Sequence, residues 1–196
     1  MAEEKLFMLL LGCRPKGRNT EQHDVYFGIG STLKDLLPGI KASWPGAGEI
    51  HIDAWRMVTA ADGYSINIQK RSAAGNSTPH PAPAPQLFFI NLGGYRQNEF
   101  DEFHYKILVV ADTLEEAKAQ AKRTAFFKHN GLPNSATARN AVAHIDDKFG
   151  VDVDDLFAVK DILPAALKEQ YRIELLPSAA TKEDEIHLGY LRLVNL

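Results

Sequence analysis

The feature that most constrains this chain is an internal repeat. Residues 6–33 align with residues 87–114 without a gap, at an offset of 81 positions. The two segments share 8 identities over 28 positions, where unrelated sequences of ordinary composition share about two. Later features recur in the same order, since His51-Ile52-Asp53 returns as His144-Ile145-Asp146 and Tyr64-Ser65-Ile66 as Tyr171-Arg172-Ile173. The sequence therefore predicts one module that occurs twice.

A linker separates the two copies. Residues 71–86 contain four prolines and few side chains that could pack in a core. Alternating proline and alanine favour an extended, semi-rigid spacer. We therefore predict a first repeat over residues 1–70, the linker over 71–86, and a second repeat over 87–196 that carries an insertion at 133–143.

Each copy is predicted to fold as β-β-α-β-β. In the first copy the predicted strands are 6–11, 23–29, 50–58 and 64–68, and a helix follows the N-cap residues Ser31 and Thr32. In the second copy Asp112 is the expected cap of a helix that stops at Asn130-Gly131, and residues 186–196 form a final strand. The predicted fold class is α+β: two such repeats packed as pseudo-twofold-related halves, with mostly antiparallel sheets and one main helix per repeat.

Composition and charge exclude several classes of protein. A hydrophobic content of 45% with 24% charged residues is typical of a soluble globular chain. The net charge of −3 argues against general nucleic-acid binding, which favours a basic surface. One cysteine, Cys13, excludes an intrachain disulfide and a multi-cysteine zinc site, and we predict it to be a buried small side chain. The apolar run 6–11 is too short for a signal peptide or a membrane span, so we expect a cytoplasmic protein.

The repeated polar pairs are the candidate functional residues. They are Glu21, His23, His51 and Asp53 in the first copy, and Glu102, His104, His144 and Asp146 in the second. Residues two apart on a strand face the same side, so each pair places a carboxylate beside an imidazole, as general bases and metal ligands require. If the two strands of a copy are neighbours, the copy gathers two imidazoles and two carboxylates. The competing interpretation is a satisfied polar network that stabilises a sheet edge or an interface.

Two weaker motifs do not support a specific ligand. The acidic segment 146–155 lacks the ligand spacing of a calcium-binding loop, and we predict a solvated loop or an irregular strand. Gly28 and Gly30 lack the third glycine of a dinucleotide-binding loop and fall in a β-β-α order.

Several of these motifs together resemble a known family. They are Leu11-Gly-x-Arg14, Glu21-x-His23-Asp24, His51-Ile-Asp53, Asp62-Gly-Tyr64, His144-Ile-Asp-Asp147 and Gly150-Val-Asp-Val-Asp-Asp155. The set resembles a bacterial family catalogued as domain of unknown function 1543. The resemblance implies short repeated modules in a soluble prokaryotic protein, and it implies no reaction, cofactor or partner. The second copy departs from the pattern, because Tyr105 stands where the first copy has Asp24.

The sequence contains a duplication without a complete catalytic motif. We therefore expect a non-enzymatic binding or interaction module whose ligand is an unknown protein or small molecule. The alternative is a metal- or histidine-dependent enzyme, hydrolytic in type, that uses the repeated pairs. The sequence names no cofactor, and it leaves the oligomeric state open, a homo-oligomer included.

Overall fold

The structure, a computed structural model, describes residues 3–71, 84–95, 100–130, 152–179, 182 and 184–196. The chain forms two compact units. Unit 1 comprises residues 1–77 and 159–196, and unit 2 comprises residues 78–158.

The described strands and helices follow one another in this order. They are β1 Lys5–Cys13, β2 Gln22–Gly30, a 3₁₀ turn Leu33–Leu36, α1 Leu37–Ser43, β3 His51–Val58, β4 Ala60–Ala61, β5 Tyr64–Lys70, β6 Gln86–Tyr95, β7 Glu102–Ala111, α2 Leu114–Asn130, β8 Asp152–Ala158, α3 Val159–Ile162, α4 Ala165–Gln170, β9 Tyr171–Pro177, β10 His187–Arg192 and a second 3₁₀ turn Leu193–Asn195. All the described strand pairs are antiparallel. The predicted α+β class with mostly antiparallel sheets is confirmed.

The main sheet of unit 1 has the strand order β10-β3-β1-β2. The apolar run of β1 occupies its interior, and Leu9 and Ile52 on β1 and β3 are fully buried. A second sheet has the order β4-β5-β9. Asp62 and Gly63, at φ 45° and 80°, form the tight turn before β5, which is the left-handed conformation that Asp-Gly favours.

The first 3₁₀ turn and helix α1 cover the core face of the main sheet through Leu36 and Ile40, which are 2% and 0% exposed. The segment begins as a 3₁₀ turn and becomes α-helical at Leu37, with Pro38 in the first α-helical turn. Proline is compatible with a first helical turn and not with a helix interior, so Pro38 fits the start of α1.

Unit 2 contains a three-stranded sheet of order β7-β6-β8 and the long helix α2. Ala117 and Ala121 are fully buried against the sheet, as their spacing predicts. The expected cap is wrong by one residue: the hydroxyl of Thr113, and not Asp112, accepts the backbone N–H of Glu116 at 3.2 Å. Threonine followed three residues later by glutamate is the sequence signature of a capping box. Here the Glu116 carboxylate accepts the N–H of Asp112, the residue before the cap, at 3.2 Å.

The C-terminal segment pairs with strands of the first repeat. β9 pairs with β5 and β10 pairs with β3. The final strand therefore exists, and it extends the sheet of unit 1. The insertion 133–143 lies outside the described residues. Within the described ranges, helices are all too short or too polar to cross a bilayer.

Candidate functional site

The candidate site of unit 1 lies over Gly12, near the C-terminal end of β1. Gly12 on β1 pairs with His23 of β2 on one side and with His51 of β3 on the other. Strands β2 and β3 are not neighbours, because β1 lies between them. Adjacent strands are about 4.8 Å apart, so the two histidine-bearing strands are separated by roughly 10 Å.

Gly12 allows side chains from the two outer strands to meet across β1. A Cβ atom at this position would lie 2.5 Å from Oδ2 of Asp53 and 2.9 Å from Cε1 of His51. Both distances are far below van der Waals contact. Any residue with a side chain would therefore occupy the space in which the imidazoles and carboxylates approach one another.

Four contacts join the side chains of Glu21, His23, His51 and Asp53 into a closed ring. Nε2 of His51 lies 3.1 Å from Oε1 of Glu21 and 3.2 Å from Oδ1 of Asp53. Nε2 of His23 lies 3.6 Å from Oε2 of Glu21 and 3.3 Å from Oδ2 of Asp53. Each carboxylate thus bridges the two imidazoles, with one oxygen directed at each. The structure brings together all four first-copy residues that the sequence singled out.

The ring is not a satisfied hydrogen-bond network. The His51 side chain is only 7% exposed, whereas that of His23 is 43% exposed. Nε2 of His51 and Oδ2 of Asp53 are buried, and neither has a partner in hydrogen-bond geometry. Leaving a buried polar atom unsatisfied costs about 1–3 kcal/mol, so these two atoms require a ligand or another compensation.

Tyr190 forms one wall of the site. Its ring packs on that of His51, with the centroids 4.3 Å apart and the planes at 36°. The residue belongs to β10, where the pairing with β3 shifts register between Leu188 and Leu191. Tyr190 also lines a groove of unit 1 of about 640 Å³, together with Trp44 and the cationic side chains Lys34, Lys41 and Arg192.

Neighbouring atoms of the ring have the spacing of adjacent metal ligands. Ligand atoms bound at about 2.1 Å from a metal lie about 3.0–3.5 Å apart when they are adjacent in tetrahedral or octahedral geometry. The four ring contacts of 3.1 to 3.6 Å fall close to this range. Imidazole nitrogen with carboxylate oxygen is a donor set suited to zinc, iron, nickel or copper.

Unit 2 repeats part of this geometry on its own strands. Gly93 of β6 pairs with His104 of β7 and with Asp152 of β8. Nε2 of His104 lies 3.3 Å from Oδ2 of Asp154 and 4.0 Å from Oε2 of Glu102. The predicted partners His144 and Asp146 lie outside the described residues.

Asp154 is the residue that sequence reasoning missed. The prediction aligned His51-Ile52-Asp53 with residues 144–146, whereas the strand register aligns it with Asp152-Val153-Asp154. The alternation of polar, apolar and polar residues was present in both segments. Gly12 and Gly93 were also missed as site residues, although their match in the repeat was the available signal.

Cys13 takes no part in the site. It is fully buried, and it follows Gly12 on the strand, so it faces the opposite side of the sheet. Burial, with a smaller contribution from the charge of Glu21, raises the pKa of its thiol. The thiol therefore stays protonated at neutral pH, and the predicted buried small side chain is confirmed.

Comparison with known proteins gives a family match over part of the chain and a similar fold. No curated protein matches this sequence. The chain is similar to the crystal structure of a protein Il1583 from Idiomarina loihiensis, with 22% sequence identity, a TM-score of 0.60, and coverage of 97% of this chain and 98% of that chain. At this identity the likeness concerns the fold. Residues 18–68 match the family model of the Domain of Unknown Function (DUF1543), as the sequence motifs predicted. The matched part of the chain holds all four ring residues of unit 1.

Proposed function

We propose that unit 1 binds a divalent transition-metal ion through Glu21, His23, His51 and Asp53. The observation that carries the proposal is the closed ring of nitrogen and oxygen atoms with the buried, unpartnered Nε2 of His51 in it. A cation would accept the lone pairs of both imidazoles and would compensate the two carboxylate charges at once. This makes the chain a binding module whose ligand is a metal ion.

The ligand set favours zinc or a neighbouring transition metal over magnesium or calcium. Magnesium and calcium prefer oxygen ligands, whereas half of the ring atoms are imidazole nitrogens. Because the ligands come from β2 and β3, a bound ion would also connect the two strands that flank β1. The ion would then stabilise the folded sheet by the free energy of its binding.

We also propose that residues 1–70 and residues 87–196 derive from one duplicated module, and three observations support this. The strand orders β2-β1-β3 and β7-β6-β8 are alike. The register shifts between Leu10 and Leu11 in the first sheet and between Asn91 and Leu92 in the second, positions that differ by the offset of 81. Tyr64 pairs with Pro177, and Tyr171 pairs with Lys70. This is the antiparallel pairing expected when two copies of the same strand are related by a twofold axis.

The test is zinc binding to the full chain purified without a histidine tag and stripped of metal by a chelator. Competition with a chromophoric chelator measures the affinity of the wild type, Glu21→Gln and His23→Ala. Their matched controls are Glu185→Gln and His187→Ala, since Glu185 and His187 lie 4.0 Å apart outside the ring. Glu21 and His23 are nearly half exposed, so neither ring variant removes packed core volume.

We expect both ring variants to lose at least tenfold in zinc affinity, because a metal site with a missing ligand binds more weakly. Both controls are expected to bind as the wild type does. Equal zinc affinity for the wild type and both ring variants would reject the proposal. Equal losses in ring and control variants would reject it as well.

A further inference from the structure

We infer that unit 2 holds a second cation site, formed by Glu102, His104 and Asp154, which is weaker than the first and selective for a harder ion such as Mn²⁺. The inference extends the proposed function, on which it rests for the kind of ligand. Its contacts, however, are its own, because all three residues belong to unit 2.

The first argument is the proximity of three ligand atoms from three different side chains. One nitrogen of His104 and one oxygen from each carboxylate all lie within 4.8 Å of one another. Atoms bound at about 2.1–2.2 Å to one cation are at most about 4.4 Å apart. A small side-chain movement therefore places all three on one ion, and the three side chains are exposed enough to make it, at 32% to 40%.

The second argument is that β6 has a glycine, Gly93, at the position of Gly12 in β1. Neither glycine has a side chain to occupy the space above its strand. A Cβ atom at Gly93 would lie 2.8 Å from Oδ1 and 2.9 Å from Cγ of Asp154. The Asp154 carboxylate thus fills the position over Gly93 that the Asp53 carboxylate fills over Gly12. From there it reaches His104 across the central strand, which is the feature that distinguishes this cluster from a chance group of surface acids.

The predicted selectivity follows from the differences between the two sites. Gly12 pairs with His51 in unit 1, whereas Gly93 pairs with Asp152 in unit 2. The second site therefore has one imidazole where the first has two, and oxygen-rich sites suit manganese, magnesium and calcium better than zinc. No described strand pairs with the outer edge of β8, whereas β10 covers that edge of β3 in unit 1. The more exposed second site is thus expected to bind more weakly.

The experiment titrates the full chain with MnCl₂ and follows free Mn²⁺ by electron paramagnetic resonance. The variants are Glu102→Gln and Asp154→Asn for the second site and Glu21→Gln for the first. Glu115→Gln, in the first turn of α2, is the control for a lost surface carboxylate. Zinc is titrated separately on the same proteins, and circular dichroism checks that each variant is folded.

We expect Mn²⁺ affinity to fall at least tenfold in Glu102→Gln and Asp154→Asn, and to stay unchanged in Glu21→Gln and Glu115→Gln. If Glu21→Gln weakens zinc binding, Glu102→Gln does not, and no Mn²⁺ binds, the second site is overturned and the first remains. Mn²⁺ binding that Glu21→Gln abolishes and Glu102→Gln does not would also overturn it. Mn²⁺ binding with the expected pattern but zinc binding insensitive to Glu21→Gln would keep the second site and reject the first.

Discussion

The substitution Gly12→Ala tests whether the missing side chain on β1 creates the metal site. The new Cβ would lie 2.5 Å from Oδ2 of Asp53, and ordinary contact between carbon and oxygen requires about 3.4 Å or more. The carboxylate must therefore move by about 1 Å, and His51 must move with it. Functional constellations tolerate displacements of about 0.5 Å, so two of the four ligands are lost to the metal.

The expected magnitude has two parts. Forcing an additional methyl group into a packed position costs about 1–3 kcal/mol of stability. Displaced ligands are expected to lower zinc affinity at least about 100-fold, which corresponds to about 2.7 kcal/mol of binding free energy. Isothermal titration calorimetry measures the affinity, and urea denaturation of the metal-free protein measures the stability.

Gly93→Ala is the matched control, because it introduces the same methyl group at the equivalent position of β6, against Asp154. It should lower stability while zinc affinity at unit 1 stays as in the wild type. If Gly12→Ala binds zinc within about threefold of the wild type, the glycine does not create the site and the reasoning is refuted.

Three further predictions concern the stability of the folded chain. Zinc at about 100 times its Kd should stabilise the wild type by about 2.7 kcal/mol and raise Tm by about 5–10 °C in a thermal-shift assay, and Glu21→Gln should abolish the rise. Asp35 accepts hydrogen bonds from the N–H and hydroxyl of Thr32 and the N–H of Ser31, which lower the pKa of its carboxyl group. Its stabilising effect is therefore present above its unfolded-state pKa and is lost as pH falls through the lower folded-state value, so Asp35→Asn should be less stable than the wild type at pH 7 and converge with it in acid, by urea denaturation. Thr113→Ala removes the cap of α2 and should cost about 1 kcal/mol by the same measurement; an unchanged midpoint would contradict the capping assignment.

The sequence predicted the site residues of unit 1 because their geometry is local. Residues two apart on a strand share a face whatever the fold is, so Glu21 with His23 and His51 with Asp53 followed from the spacing alone. That β1 separates the two pairs did not follow, because the order of strands in a sheet depends on contacts between residues distant in the chain. Gly12 became a site residue only once its two neighbouring strands were known.

The same limit explains why the strand pairings of the second half of the chain did not follow from the sequence. Both segments 144–146 and 152–154 alternate polar and apolar residues, and only the pairing with β6 selects the latter. The pairing of β9 with β5 likewise depends on a partner about a hundred residues earlier. Helix positions were predicted better, since capping and apolar spacing act within a few residues, and the cap of α2 was misplaced by a single position.

The packing of Tyr190 on His51 has a consequence for the order of events during synthesis of the chain. The ribosome synthesises β1, β2 and β3 early, whereas β10 begins 129 residues after β3 ends. At translation rates of about 5–20 residues per second, the three early strands wait roughly 6 to 26 s for the strand that covers His51. During that interval Tyr190 does not yet cover His51. The proposed cation would therefore have access to the four ring residues before the last strand is in place.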